Sequence, residues 1–209
     1  MMRRATLGVV MALGLVLGAC ASEVPPTPHV ACPTEPPTRV SAQATLLDAR
    51  YAAFTISGAA SGEFTVELYG SQAPLATANF VALARCGFYD GIKFHRVLAG
   101  FVIQAGDPET REHDGDFDGI GAGGPGYAFE IESPADDLAY VPYSVSMANN
   151  GIANGSQFFI AVADLTDGLS RDYTIFGQVI SGTDVIDAIA TVAVNDPLIG
   201  VPVDPVFID

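Results

Sequence analysis

The sequence contains no tryptophan and few basic residues. Nine lysines and arginines stand against 24 aspartates and glutamates among 209 residues, which gives a formal net charge of −15. Such an acidic chain repels phosphate groups, so binding to nucleic acid or to anionic lipid headgroups through charge is excluded. The absence of tryptophan also excludes an indole from any binding site of this chain.

Only the start of the chain has the features of a targeting segment. Arg3 and Arg4 precede an apolar stretch at residues 7–17, which is too short to span a bilayer. Residues 1–19 are therefore predicted to be a secretory signal. The letters LGAC at its end resemble the lipobox of bacterial lipoproteins, which implies that Cys20 is lipidated and becomes the mature amino terminus. The alternative is an ordinary signal that happens to lie near a cysteine.

Residues 20–40 are rich in proline and poor in large apolar groups, which is typical of an extended tether. His29 lies in this tether without a nearby partner and is interpreted as solvated rather than as a metal ligand. The chain has two further cysteines, Cys32 and Cys86. In an exported protein they either form a disulfide that pins the tether to the domain or remain two free thiols. One domain is predicted over residues 41–209.

Alternation of apolar and polar residues predicts that this domain is mostly β. Helical spacing occurs twice, in a stretch that begins at Pro74 and stops at Gly87 and in a stretch capped by Thr183. Without a regular exchange of strands and helices, the simplest architecture is an antiparallel sheet closed as a barrel. The strands are predicted at YAAFTIS (51–57), EFTVELYG (63–70), SQFFIAVA (156–163), YTIFGQVI (173–180) and the terminal PVFID.

The segment FHRVLAGFVIQAGDP (94–108) predicts two short strands joined at Ala99 and Gly100. Arg96 and Gln104 are polar exceptions in this otherwise apolar segment. A buried polar group at a strand position is costly unless it is paired or has a function. These two residues are therefore the first candidates for a functional site.

Five blocks of the sequence resemble, in the same order, the cyclophilin family of peptidyl-prolyl cis-trans isomerases. The resemblance spans residues 45–208 and implies an eight-stranded antiparallel barrel capped by two α-helices. It also implies a rotamase that assists protein folding, needs no cofactor or metal, and acts as a monomer on proline-containing segments. The blocks are GEFTVELYGSQAPLATANFVALARCGFYDG, FHRVLAGFVIQAGDP, GAGGPGYAFEIE, VSMANNGIANGSQFFIAVAD and YTIFGQVISGTDVIDAI.

The chemistry of this family explains the polar exceptions. Rotation about an X-Pro bond meets a barrier of ~18–20 kcal/mol from amide resonance, but no bond breaks and no proton moves. A fixed cationic donor aimed at the prolyl nitrogen would lower that barrier. The resemblance assigns the donor to Arg96. It assigns the proline pocket to Phe101, Val102, Phe159, Leu169 and Tyr173, the substrate backbone to Gln104, Ala148 and Asn149, and support of the arginine to Gln157.

The chain departs from the family pattern at several positions. Ala99 stands where relatives carry proline, Ala105 where they carry glycine, and GAGG replaces GTGG beside the pocket. Gly168 falls where relatives that bind cyclosporin have a tryptophan. These departures affect the expected substrate and inhibitor preference more than the expected activity.

Other candidate sites are weaker. His95 is interpreted as structural because rotation transfers no proton, and Ser156 has no histidine and aspartate spaced for a hydrolase triad. The letters DGDFDG (114–119) match the start of a calcium loop, but the twelfth position is Pro125 rather than a glutamate. A solvated acidic loop is favoured there over a calcium site.

Together these features predict a bacterial lipoprotein of the cell envelope that isomerises prolyl bonds in exported proteins. Its domain would lie outside the cytoplasm and would be held at a membrane by the lipid alone. The competing class is a non-catalytic holdase or scaffold that binds proline-containing peptides in the same groove. The presence of Arg96, Phe101, Gln104 and Phe159 together favours the enzyme.

Overall fold

The computed structural model describes residues 30–46, 49–112 and 120–209. The predicted signal at residues 1–19, the lipidation site Cys20, His29 and the acidic stretch 114–119 lie outside the described residues.

The described residues form eight strands, three α-helices and a short 3-10 helix. The mostly β, eight-stranded antiparallel fold predicted from the sequence is confirmed. None of the helices within the described ranges is both long enough and apolar enough to cross a bilayer. The strands are β1 Tyr51–Gly58, β2 Gly62–Leu68, β3 Arg96–Leu98, β4 Val102–Ala105, β5 Ser144–Asn149, β6 Asn154–Ala161, β7 Ile175–Ser181 and β8 Val206–Ile208. The helices are α1 Arg39–Thr45, α2 Pro74–Arg85, α3 Thr183–Ala190 and the 3-10 helix Pro108–Arg111.

All strand pairs are antiparallel, in the order β3-β4-β6-β5-β7-β2-β1-β8. The two ends of this order meet, because the residues just before β3 pair with β8. Phe94 donates its backbone N–H to Val206 at 2.9 Å, and Ile208 donates to Ile92 at 2.9 Å. The sheet therefore curls round and leaves little open edge.

The apolar core lies mainly between the sheet, α2 and α3. Phe54 stacks on Phe64 with ring centroids 4.5 Å apart, and Phe80 meets Phe158 edge to face at 6.0 Å. The neighbour of Phe158 in β6, Phe159, belongs to a second, smaller apolar cluster. Successive residues of a strand point to opposite faces, so β6 separates the main core from the cluster that underlies the candidate site.

Two local predictions differ from the structure. Helix α1 is not among the two predicted helices, because the proline-rich composition before it favours an extended tether. Thr38 caps α1, with its side chain accepting from the Ser41 N–H at 3.1 Å, so the predicted boundary between residues 40 and 41 lies inside this helix. Thr183 is the first residue of α3 rather than its cap, and Gly182, with φ of 73°, occupies the cap position.

A disulfide joins Cys32 to Cys86, so the structure forms the first of the two arrangements left open by the sequence. Cys86 follows α2 directly, and α1 packs on α2. The bond and the helix contact together fasten the end of the tether to the domain.

Replacing both cysteines by serine is expected to lower the free energy of unfolding by about 2 kcal/mol. The bond closes a loop between residues 54 positions apart, and a cross-link of this kind stabilises by ~2–4 kcal/mol. The lower end applies because Cys32 is exposed in a terminal segment. Urea denaturation of the mature protein measures the change, and equal stability of the oxidised wild type and the double variant would contradict it.

Glu132 stabilises the start of α2 from a distant part of the chain. The cap residue Ala73 offers no side-chain acceptor. The buried Glu132 carboxylate instead accepts from the backbone N–H groups of Leu75 at 3.1 Å and Ala76 at 2.9 Å. A carboxylate at this position satisfies two free donors and interacts favourably with the helix dipole.

Glu132→Gln is expected to destabilise the fold by about 1–2 kcal/mol, because an amide provides one acceptor oxygen where two N–H groups need one each. Glu130→Gln is the matched control. Glu130 pairs with Arg39 on the surface, and an exposed pair contributes ~0–1 kcal/mol. Thermal and urea denaturation of both variants measure the difference, and a smaller loss in Glu132→Gln than in Glu130→Gln would show that the distant cap is unimportant.

Candidate active site

The polar exceptions of the sequence lie side by side on the curled sheet. Arg96 of β3 pairs in register with Gln104 of β4, and Gln104 pairs with Phe159 of β6. Directly paired residues project on the same face of a sheet. Their neighbours Val97 and Ile103 point to the opposite face and are buried in the main core.

The side chains of this row border a cavity of about 250 Å³. Its lining contains nine of the ten residues to which the sequence resemblance gives catalytic or binding roles. The tenth, Gln157, lines a neighbouring cavity of about 290 Å³ that shares Gln104 with the first. The nine are Arg96, Phe101, Val102, Gln104, Ala148, Asn149, Phe159, Leu169 and Tyr173.

Arg96 is half-buried at the wall of the cavity. Its Nη1 lies 3.4 Å from Oε1 of Gln104, and its Cζ lies 5.9 Å from the centre of the Phe101 ring. Within the described part of the chain no carboxylate forms an ion pair with this guanidinium. The Arg96 guanidinium therefore presents a positive charge and unused N–H donors to the cavity.

A chain of amides holds Gln104 in place. Gln104 donates through Nε2 to Oε1 of Gln157 at 2.9 Å, and Gln157 donates through Nε2 to the carbonyl of Gly123 at 2.9 Å. Gln157 therefore makes no hydrogen bond to the Arg96 guanidinium itself. It supports Arg96 indirectly, by holding the Gln104 amide. The glycine loop at the end of this chain is held by the buried Asp107, which accepts from the N–H groups of Gly121 and Gly123.

The floor of the cavity is apolar. Val102 and Phe159 are buried, and the rings of Phe159 and Tyr173 meet edge to face with centroids 5.5 Å apart. Phe101 and Leu169 pack against the same cluster. A floor of this kind favours an apolar ring over a charged or hydrogen-bonding group.

Tyr140 is a supporting residue that the sequence patterns do not indicate. Its hydroxyl lies 3.0 Å from the carbonyl oxygen of Ser170 and 2.9 Å from that of Tyr173, and it accepts from the Tyr173 N–H at 3.2 Å. It thereby holds the loop that carries Leu169 and Tyr173. Tyr140 lies outside the helices and strands, where there is no periodic signal, so only the fold reveals this role.

Ala148 and Asn149 border the cavity at the end of β5. The register between β5 and β6 is irregular between Met147 and Asn149, where Ala148 lies. Asn149 donates through Nδ2 to the carbonyl of Asp172 at 2.8 Å, which links β5 to the loop that Tyr140 holds.

Two residues interpreted as non-catalytic are buried and have no partner for acid-base or nucleophilic catalysis among the described residues. Ser156 is buried and donates its hydroxyl to the carbonyl of Gly106 at 2.7 Å. His95 is buried beside Arg96, and neither of its ring nitrogens has a hydrogen-bond partner within the described part of the chain.

The comparisons with known proteins agree with this geometry. The family model for cyclophilin type peptidyl-prolyl cis-trans isomerases matches residues 51–208. The chain is 42% identical over 168 residues to a probable peptidyl-prolyl cis-trans isomerase A of Mycobacterium leprae, covering 71% of this chain and 85% of that protein. It is 41% identical over 131 residues to a peptidyl-prolyl cis-trans isomerase of Helicobacter pylori, covering 61% and 74%.

Solved structures show the same fold. The crystal structure of a cyclophilin type peptidyl-prolyl cis-trans isomerase from Cryptosporidium parvum has a TM-score of 0.63 and 32% identity to this chain, covering 76% of this chain and 94% of its own. A second structure of that protein, determined in the presence of the dipeptide Ala-Pro, has the same score and identity. The chain therefore belongs to the cyclophilin family and is a peptidyl-prolyl cis-trans isomerase.

Proposed function

We propose that Arg96 is the catalytic residue of this isomerase and that the cavity beside it holds the proline ring of the substrate. The observation that supports this proposal is the convergence on one cavity of nine residues that the family resemblance assigns to the site, drawn from β3, β4, β5, β6 and two loops. These residues are far apart in the chain, and packing of the core alone would not be expected to bring all of them to one cavity.

The guanidinium would act on the prolyl nitrogen. As the amide twists out of its plane, resonance is lost and the lone pair of this nitrogen becomes available to a donor. Arg96 has no carboxylate partner within the described ranges, so its N–H groups other than the one that faces Gln104 are free to donate. An interaction made only with the twisted amide lowers the barrier without stabilising the planar ground state.

The remaining residues would position the peptide. The apolar floor formed by Val102, Phe159 and Tyr173 would take the ring. Gln104, fixed by Gln157, would hold a flanking carbonyl, and the backbone at Ala148 and Asn149 would pair with the segment before the proline. Fixing both flanks confines motion to the rotating bond.

Titration of the isotopically labelled protein with a short Ala-Pro peptide tests this placement. We expect the largest amide shift changes at Gln104, Ala148 and Asn149, because these residues border the cavity. Changes that centre instead on a surface away from the cavity would contradict the placement.

We also propose that the protein is a lipoprotein of the bacterial cell envelope that acts on proline-containing segments of exported proteins. The signal-like start and the LGAC letters support the anchor. The Cys32–Cys86 bond supports an exported location, because disulfides persist in oxidising compartments. The strongly acidic composition leaves the lipid as the means of attachment.

Cys20→Ser is expected to move the protein from the membrane fraction to soluble fractions while its isomerase activity is retained. Mass spectrometry of the wild-type mature chain is expected to show an amino terminus at a lipid-modified Cys20. Cys32→Ser, which removes a cysteine outside the predicted lipobox, is the control and should stay in the membrane fraction. An unmodified amino terminus at another residue would refute the anchor.

A further inference from the structure

A third cavity opens beside Arg96. It has a volume of about 300 Å³ and shares Arg96 and Gln104 with the cavity proposed for the proline. Its remaining walls are mainly apolar. The lining residues are His95, Arg96, Gln104, Ile120, Gly121, Leu198, Ile199 and Val201.

The outer rim of this cavity is formed by large apolar side chains in contact with solvent. Leu198 is 87% exposed and Ile199 is 58% exposed, which makes Leu198 the most exposed large apolar residue of those described. Two adjacent apolar side chains at the edge of a cavity offer an apolar contact to a molecule that enters it.

The rim is held in position by the sheet. The backbone N–H of Val97 in β3 donates to the carbonyl of Gly200 at 2.6 Å, and the N–H of Gly200 donates to Asp196 at 2.7 Å. Gly200 has a φ of 83°, and a Cβ atom there would lie 2.5 Å from the carbonyl oxygen of Val97. Only glycine allows this close approach, which fixes Leu198 and Ile199 beside the strand that carries Arg96.

His95 adds an unusual group to the wall. It is 5% exposed, and both ring nitrogens lack a hydrogen-bond partner within the described residues. Burial lowers its pKa to about 4, so the imidazole is neutral at neutral pH. The His95 side of the cavity is therefore uncharged and, with Leu198, Ile199 and Val201, offers an apolar side chain a largely apolar wall.

We propose that this cavity is a specificity subsite that takes a large apolar side chain from one of the first residues after the substrate proline. The inference rests on the proposed function of the neighbouring cavity. Ala148 and Asn149, proposed to pair with the segment before the proline, line the proline cavity but not this one. A peptide whose segment before the proline lies against these two residues would therefore extend its segment after the proline past Arg96, toward Leu198 and Ile199.

The test compares isomerisation of peptides that differ only in the residue after proline, with phenylalanine, leucine, glycine or aspartate at that position. Exchange between cis and trans forms is measured by NMR, which needs no protease and so leaves that residue free to vary. We expect the wild type to have a kcat/KM at least ~10-fold higher for phenylalanine or leucine than for glycine, since burial of an apolar group in a pocket discriminates by about this factor or more.

Two variants test the role of the rim. In the double variant Leu198→Ser with Ile199→Ser, the ratio of kcat/KM between the phenylalanine and glycine peptides is expected to fall to about one, because the apolar contact is lost. Val203→Ser is the matched control. Val203 is 60% exposed in the same loop but does not line the cavity, so the control should keep the wild-type ratio.

The possible outcomes distinguish failure of the subsite proposal from failure of the proposed isomerase function. Acceleration of every peptide with equal kcat/KM, a preference for aspartate, or an apolar preference that the double variant keeps would each overturn the subsite alone. Absence of acceleration for every peptide would overturn the proposed function and the subsite with it. Circular dichroism of the variants checks that the exposed substitutions leave the fold intact.

Discussion

Arg96→Ala is expected to reduce kcat/KM for a proline peptide by roughly 30- to 1000-fold, equivalent to about 2–4 kcal/mol of barrier lowering. The loss is large because the guanidinium is the one charged group lining the proline cavity, and no carboxylate neutralises it within the described residues. Binding of the peptide in its planar form should weaken much less, since the interaction is proposed to form mainly as the amide twists.

Two further variants separate charge from geometry. Arg96→Lys keeps the positive charge but loses the planar fork, so we expect a rate between those of the wild type and Arg96→Ala. Arg50→Ala removes an exposed arginine that pairs with Glu67 far from the cavity lining, and it should leave the rate unchanged.

The measurement is the rate of cis-trans exchange at saturating and limiting peptide, together with the dissociation constant. A folded Arg96→Ala protein with a rate near that of the wild type would refute the role of the guanidinium. A parallel loss of affinity and rate would instead assign Arg96 to binding of the ground state.

Inhibition by cyclosporin is expected to be several hundred-fold weaker than in relatives that carry a tryptophan at the pocket. The missing indole removes one hydrogen bond, about 0.5–1.5 kcal/mol. It also removes roughly half of a ~150–250 Å² aromatic contact, about 2–3 kcal/mol at ~25 cal/mol per Å². A loss of roughly 3–4 kcal/mol corresponds to a few hundred-fold in affinity.

Gly168, the residue predicted at the tryptophan position, lies in the loop that leads to Leu169. Its N–H donates to the carbonyl of Leu165 at 3.1 Å, and a Cβ atom built on it would meet only that carbonyl oxygen, at 4.0 Å. Gly168 itself does not line the cavity, but the space around a Cβ atom at this position is open. Prolyl isomerisation should survive, because the proline floor is formed by other residues.

Gly168→Trp provides the direct test, since the site has space for a side chain. We expect this variant to bind cyclosporin more tightly than the wild type and to retain its isomerase activity. Ile180→Trp, at an exposed position of β7 outside the cavity lining, is a control for added surface aromatic area. Nanomolar inhibition of the wild type would show that another aromatic residue, such as Tyr173 or Tyr127, replaces the indole.

Much of the fold could be predicted because its signals are local. The alternation in β1 and β2 and the proline that opens α2 lie within a few residues of the structure they specify. Arg96 and Gln104 were indicated as polar exceptions on two short strands, and the structure pairs them in register. Family resemblance supplied the rest of the candidate site, and nine of its ten members border one cavity.

The remaining features depend on contacts between distant parts of the chain. Glu132 caps a helix 57 positions away, Cys32 bonds to a cysteine 54 positions away, and the Tyr140 hydroxyl holds a loop more than 30 positions away. The pattern of residues along the chain indicates which face of a strand or helix is buried. It does not indicate which distant residue contacts that face.

The sequence by itself determined the β class, the family and the identity of the polar residues, because periodicity and motif order are properties of the chain. Only the tertiary structure decided that Gln157 reaches Arg96 through Gln104, and that Gly200 brings Leu198 and Ile199 beside the same arginine. The first arrangement follows from the register of the neighbouring strands β3, β4 and β6, which are far apart in the chain. The second exists because the sheet curls until its two ends meet, and that closure is set by packing of the whole domain rather than by any local stretch of residues.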